Sequence, residues 1–346
     1  DQIDLRKGLM GVVAIAIVVV FVAIFGTVGM TAGLAALFVI MADQPGSIRD
    51  RIVAVLLMTG FGALIAMVAV WAGTSNIWAA TLLTFIVTGV ATLVSGFGPG
   101  AAVRGLLLSI WAIVALTFGG DTETAVQLAV AFASGGAIAA VILWLRSRSS
   151  PQPAMEAETA ASTRTLGDLA RSPLGWFSLQ RASAVALAMA LGALLFPDHA
   201  IWAALTVVLV MKPKAGEAVA AGILRTFGTL AGVVAAEVVL GISGGQDAAI
   251  IIAFFIAAFG MAAFKKVNYA LFVLFLTALL VLSQALIGES ADTAAIDRLL
   301  ATILGAVIAF SGIGIGRWAL ARSTGGGDGA PDPTAGELGD MDTTPG

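Results

Sequence analysis

Residues 52–103 form an uncharged run of 52, with no Asp, Glu, Lys, Arg or His. As one helix this run would extend roughly 78 Å, against a hydrocarbon core of about 30 Å. It divides naturally at Gly73-Thr74-Ser75-Asn76 into two membrane-length segments. Residues 8–42 form a second uncharged run, of 35, which divides at Gly26-Thr27-Val28-Gly29. Composition agrees: 59% of the 346 residues are hydrophobic and 11% charged, where a soluble domain carries about 25% charged residues. An ordinary soluble enzyme and a disordered chain are excluded. A net charge of -3 leaves no basic footprint for nucleic acid. With no cysteine and one histidine, neither a disulfide, a metal site nor a cofactor is expected.

Reading on, apolar segments fall at about 101–118 and 124–145, then after a polar stretch at 182–196, 200–211, 218–242, 248–264, 267–287 and 296–318. The expected architecture is therefore all-α, a polytopic membrane protein of about twelve transmembrane helices. Residues 1–145 form a first six-helix set and 179–322 a second. A cytoplasmic linker over 146–178, with Leu166, Leu169, Leu174, Trp176 and Phe177 among arginines, suits either an interfacial amphipathic helix or a plain tether. The acidic, Gly- and Pro-rich tail 323–346 is expected to be disordered. With the N-terminus inside, 17 of the 18 Lys and Arg residues fall on one side. Only Arg298 falls outside, where it would pair with Asp297 or Asp292. The positive-inside rule then places both termini in the cytoplasm, and the high Ala, Gly and Val content with few lysines suggests a GC-rich bacterial source and so an inner membrane.

The second half repeats the first. Shifting by 168 residues brings Leu37 onto Leu205, Pro45 onto Pro213 and Gly60 onto Gly228. Six spans per half give both halves the same orientation, so a pseudo-two-fold along the membrane normal is expected. Spans two and eight are short, 31–42 and 200–211, and short segments at matching places point to a site between repeats.

Few polar residues interrupt the apolar segments. Glu237 stands well inside one and must face protein or water; it is a candidate for proton coupling, or a glutamate snorkelling to the outer surface. His199, at an outer turn after Asp198, is a second coupling candidate or a solvated turn residue. Arg225 lies inside the ninth span, with Lys212 and Lys214 just before it. An anion arriving from the cytoplasm would meet this cluster, and arginine can hold a carboxylate bidentately. Lys212 is equally an ordinary inner-surface charge. Arg298 is a candidate gate. Trp202, like Trp71 and Trp78, lies where aromatic belts form; it is also placed to stack on an aromatic substrate. Gly29/Gly33, Gly228/Gly232 and Gly312/Gly316 have the spacing that permits close helix packing.

The stretch Trp202-Ala-Ala-Leu205-Thr206, then Lys212-Pro213, then Arg225-Thr-Phe-Gly228-Thr229-Leu-Ala-Gly232 resembles the fusaric-acid-resistance or aromatic-acid-exporter family. Asp297-Arg298 with Thr302 and Gly305 is similar to that family's second, fainter motif. More distantly the chain resembles the plant aluminium-activated malate channels. The first half carries the pattern in degenerate form, with Leu34 in place of the tryptophan and Leu57 in place of the arginine. The resemblance implies export of small organic or aromatic acids and adds Thr206 to the candidate site residues. No phosphate-binding glycine loop is present, so the expectation is a secondary exporter and not an enzyme. Two other readings stay open: a non-transporting scaffold or subunit of a cell-envelope complex, and an anion channel. Expected partners are membrane lipid and a small anionic or aromatic substrate, with a homo-oligomer or other envelope proteins as further candidates and no nucleic acid.

Overall fold

A computed structural model gives the fold. It describes residues 31–33, 35–43, 48–149, 165–213, 215–244, 246–264, 268–286 and 291–323, with Ala16 and Val28 besides. Among these residues all regular structure is helical. Apart from Ala16, the first expected span lies outside them, as do 150–164 of the linker and 324–346 of the tail.

The helices are α1 (Thr31–Ala42), α2 (Ile48–Ser75), α3 (Ile77–Val94), α4 (Pro99–Ala115), α5 (Thr122–Ser149), α6 (Leu166–Arg171), α7 (Pro173–Leu195), α8 (Ile201–Val210), α9 (Ala215–Ser243), α10 (Asp247–Phe264), α11 (Tyr269–Leu286) and α12 (Ala291–Ser323). Seven contain a stretch long and apolar enough to cross a membrane: α2, α3, α5, α7, α9, α10 and α12. Helices α1, α4, α8 and α11 are shorter apolar segments.

The breaks follow local chemistry. The Asn76 side chain accepts a hydrogen bond from the Ala79 amide at 2.9 Å, capping α3 at the expected break. Helix α8 ends at Val210, and Pro213 follows in the turn to α9, where a proline cannot continue a helix. Linker helix α6 starts with a capping box between Thr165 and Asp168. Its two donors, the Thr165 amide and hydroxyl, hold the Asp168 carboxyl below its ordinary range. The helix is only six residues long, and Leu169 is buried against the turn at Gly96. It is thus docked onto protein as well as flanking the surface.

Each half packs its own helices, α2 on α4 and α5, and α9 on α11 and α12. Helices α3 and α7 join the halves side by side, where Ser178 donates to the Gly89 carbonyl at 2.6 Å. Short α8 is the central element, against α7, α12, α9 and α4, and seven of its ten residues are buried. Outward-facing Leu, Ile, Val and Trp side chains, among them Trp71 and Trp78, cover the lipid-facing surface of α2 and α3.

Candidate functional site

Helix α8 presents Trp202 and Thr206 four residues apart, on one face. The Thr206 hydroxyl donates to the Trp202 carbonyl at 2.8 Å and accepts from Arg225 Nε at 3.2 Å. Arg225 is only 5% exposed. From α12, the Arg298 guanidinium carbon lies 3.7 Å from the centre of the Trp202 ring, and Arg298 is only 4% exposed. Both arginines thus converge on the Trp202–Thr206 face of α8, one from α9 and one from α12. Thr229 and Thr302, one turn beyond each arginine on its own helix, are also buried.

Glycines set this convergence. A side chain at Gly305 would collide with the Ala203 carbonyl and Thr206, so its absence lets α12 lie against α8. Gly228 and Gly232 put α9 against the Ala270 and Leu274 carbonyls of α11. Arg225, on the flank of the stripe these glycines share, reaches Thr206 of α8. The Arg-x-x-Gly-Thr-x-x-Gly spacing (i, i+3, i+4, i+7) puts all four residues on one stripe of α9, where the glycines admit α11 and Arg225 reaches across to α8.

The electrostatics are unbalanced. Among the described residues neither arginine has a carboxylate partner, and Arg298 Nη1 is buried with no hydrogen-bond partner. Burying an ion costs several kcal/mol even after the protein relaxes. A desolvated cation–π contact returns about 2 kcal/mol and a hydrogen bond to a charged group about 1.5–3 kcal/mol. Those terms leave at least one positive charge poorly compensated, and the two cations repel each other. An anion placed between them would relieve both costs.

The structure gathers Trp202, Thr206, Arg225 and Arg298 from the expected set, and sets His199 at their edge. Asp297 does not pair with Arg298: successive residues of a helix point about 100° apart, and Asp297 Oδ2 instead lies 3.3 Å from His199 Nδ1. Lys212 is exposed beyond the end of α8 and does not join the cluster. Glu237 is half-buried on α9, twelve residues past Arg225, or roughly 18 Å along the axis, and stands apart from it. Gly312, from another expected close-packing pair, accepts a hydrogen bond from Gln180. Arg181, counted from sequence as an inner flank, reaches into the protein to Thr92 Oγ1 (3.3 Å) and the Val208 carbonyl. The repeated Arg-x-x-x-Thr spacing at 225/229 and 298/302 was the available sign that both threonines share the arginine face. A shallow apolar groove between α2 and α5, lined in part by Val55, Leu143 and Trp144, shares no residue with this cluster.

Residues 183–312, which hold every member of the cluster, match the family described as fusaric acid resistance protein-like. This segment is similar to that family. The family points to a membrane transporter or resistance protein, and the multiple apolar helices agree with it. No curated protein and no solved structure matches the chain. The comparisons do not bear out the likeness to aluminium-activated malate channels.

Proposed function

We propose that this protein is a secondary, ATP-independent exporter of small organic anions in a bacterial inner membrane, and that its substrate is held between Arg225 and Arg298. The observation that carries this reading is the pair of buried arginines with no carboxylate partner among the described residues. A scaffold gains nothing from two uncompensated charges that cost several kcal/mol each. A channel needs a lining that is continuous along its path, whereas these charges cluster at one place, which favours a carrier.

The proposed framework is twelve spans in two parallel repeats, both termini cytoplasmic. In support, the order of α2 to α5 recurs in α9 to α12, with paired starts 167 to 170 residues apart. Gly135 meets the Ala32 carbonyl of α1 just as Gly305 meets the Ala203 carbonyl of α8. The residue pairing at a shift of 168 does not carry through α2 and α9: Leu57 is 50% exposed where its counterpart Arg225 is buried. The shared plan is in helix order and contact, with the side-chain register free to drift. Coupling to protons is assigned to His199, which borders the cluster, rather than to Glu237, which lies about 18 Å along α9 from Arg225.

Transport into inside-out vesicles tests this. Labelled organic acids should accumulate above empty-vesicle levels, and Arg225→Gln and Arg298→Gln should each abolish the excess at equal protein abundance. Uptake by both variants at the wild-type rate would refute the assignment.

A further inference from the structure

The groove between α2 and α5 is apolar along its length and charged at one end. Val55 and Leu143 are buried at its floor, and the small Ala140 leaves room between them. Ile52, Leu56 and Trp144 are exposed at its rim, so the groove opens onto the hydrocarbon around the bundle. Its volume is about 70 Å³, well below the ~300–1,000 Å³ of a pocket that encloses a soluble ligand. The two helices run antiparallel, since Gly136 meets Thr59 and Gly62 meets Phe132. The start of α2 therefore lies beside the end of α5. At that end Arg51 lines the groove, its Nε and Nη2 donating to the Asp43 carboxylate at 2.8 and 2.6 Å. Arg49 is exposed and has no carboxylate partner among the described residues. The last turn of α5 carries Arg146 and Arg148, the only charged residues between 124 and 155. Four arginines thus stand at this end against Asp43 and Asp50, a surplus of two positive charges.

We infer that this groove binds one anionic phospholipid, with an acyl chain laid between α2 and α5 and the phosphate among the arginines at the helix ends. The groove runs about 7.5 Å along α2 from Arg51 to Leu56, which takes the upper carbons of one chain. A docked helix, about 10 Å across with its side chains, is too wide for it. The surplus charge then selects the headgroup. A zwitterionic lipid brings its own cation and offers no net charge, whereas an anionic one gains about 1 kcal/mol for each basic residue near the membrane surface. Trp144 stands on the rim within a turn of Arg146, at the depth where tryptophan favours the headgroup boundary. The Asp43–Arg51 pair ties α1 to α2, so the polar end of the groove is formed before any lipid arrives. On the proposed topology this end faces the cytoplasmic leaflet, which is the anionic one. The lipid site is separate from the arginine cluster around α8 and does not depend on what that cluster binds.

The test reads Trp144 itself. The full chain is placed in phosphatidylcholine nanodiscs with a rising fraction of phosphatidylglycerol brominated near the top of its acyl chains, or of phosphatidylcholine brominated at the same carbons. Bromine quenches tryptophan on contact, and the Trp144 signal is the difference between the wild type and Trp144→Phe. Brominated phosphatidylglycerol is expected to reach half-maximal quenching at a mole fraction about fivefold lower than brominated phosphatidylcholine, the ratio that corresponds to about 1 kcal/mol. Ala140→Leu, which fills the groove, should remove that preference. So should the triple variant Arg49→Gln, Arg146→Gln and Arg148→Gln. The lipid comparison needs only the conservative Trp144→Phe, so a misfolded groove variant does not obscure it. Equal quenching by the two lipids would overturn the inference and leave a surface that any lipid covers. Absence of quenching by either lipid would overturn it by showing that protein fills the groove. A preference that survives in both groove variants would overturn the placement of the lipid between α2 and α5.

Discussion

The two halves of this protein use nearly the same order of helices to bury very different things. Around α1, the first half packs an aromatic core: Trp111 is fully buried, with Phe132 at 4.8 Å, Phe118 at 6.1 Å and Phe38 at 6.5 Å between ring centres. The Trp111 indole is satisfied, donating to the Gly62 carbonyl at 2.9 Å, while the buried Thr31 hydroxyl of α1 has no hydrogen-bond partner among the described residues. Around α8, the second half packs Trp202, two arginines and three buried threonines. Its tryptophan is stacked under a charge that lacks a counterion among the described residues. The first arrangement is what stability alone would select. The second tolerates a standing electrostatic cost, and such a cost marks a place where function overrides packing.

Substitutions in the two cores should therefore separate. The largest expected effect is on transport: Arg298→Gln or Arg225→Gln should reduce organic-anion transport at least a hundredfold in vesicles. Thermal stability should stay equal or rise, because a poorly compensated buried charge has been removed. A large loss of stability in both variants would break the contrast. Next comes Trp111→Ala in the first half, which should cost about 3–5 kcal/mol of stability. It should lower transport only in proportion to the protein remaining folded, measured as rate per folded molecule. Thr206→Val should have a smaller effect. It removes the acceptor for Arg225 and the donor to the Trp202 carbonyl, costing about 1–3 kcal/mol in anion binding, read as a shift in affinity with little change in melting temperature.

The smallest effect concerns neither core. Asp168 is held below its ordinary carboxylate range by the Thr165 amide and hydroxyl. A depressed carboxylate contributes stability above its unfolded pKa of about 3.9, and that contribution is lost as pH falls through the folded value. Thr165→Ala should therefore slightly increase hydrogen exchange in α6 near neutral pH. The difference from wild type should fade in acid, and transport should be unchanged.

Much of the fold could be read from charge spacing, because Asn76 and Pro213 end or start helices for local reasons that need no tertiary context. Helix rotation could not. In lipid, outward-facing and core-facing positions are equally apolar, so hydropathy does not distinguish Leu57, which is exposed, from Val55, which is buried. Only polar residues and glycines mark a face, as Arg225, Gly228, Thr229 and Gly232 do along α9. Arg298 was read as a surface cation because its neighbours in sequence are acids; its burial depends on α8 arriving from elsewhere with Trp202. The burial of Arg181 was illegible for a related reason, since the Val208 carbonyl to which it donates belongs to α8. The aromatic core around Trp111 left no sign, because Ser109 is the one polar side chain near it in sequence and bonds within its own helix, to the Gly105 carbonyl.

The central claim is that the paired arginines of the second half are held ready for an anion. Thermal unfolding of the nanodisc-embedded protein in rising concentrations of organic acid tests it most directly, since a ligand that binds only the folded state raises the melting temperature as its concentration grows. A concentration-dependent rise in the wild-type protein, absent from the double variant Arg225→Gln with Arg298→Gln, is the predicted result. Identical melting curves for the two proteins at every concentration would contradict it.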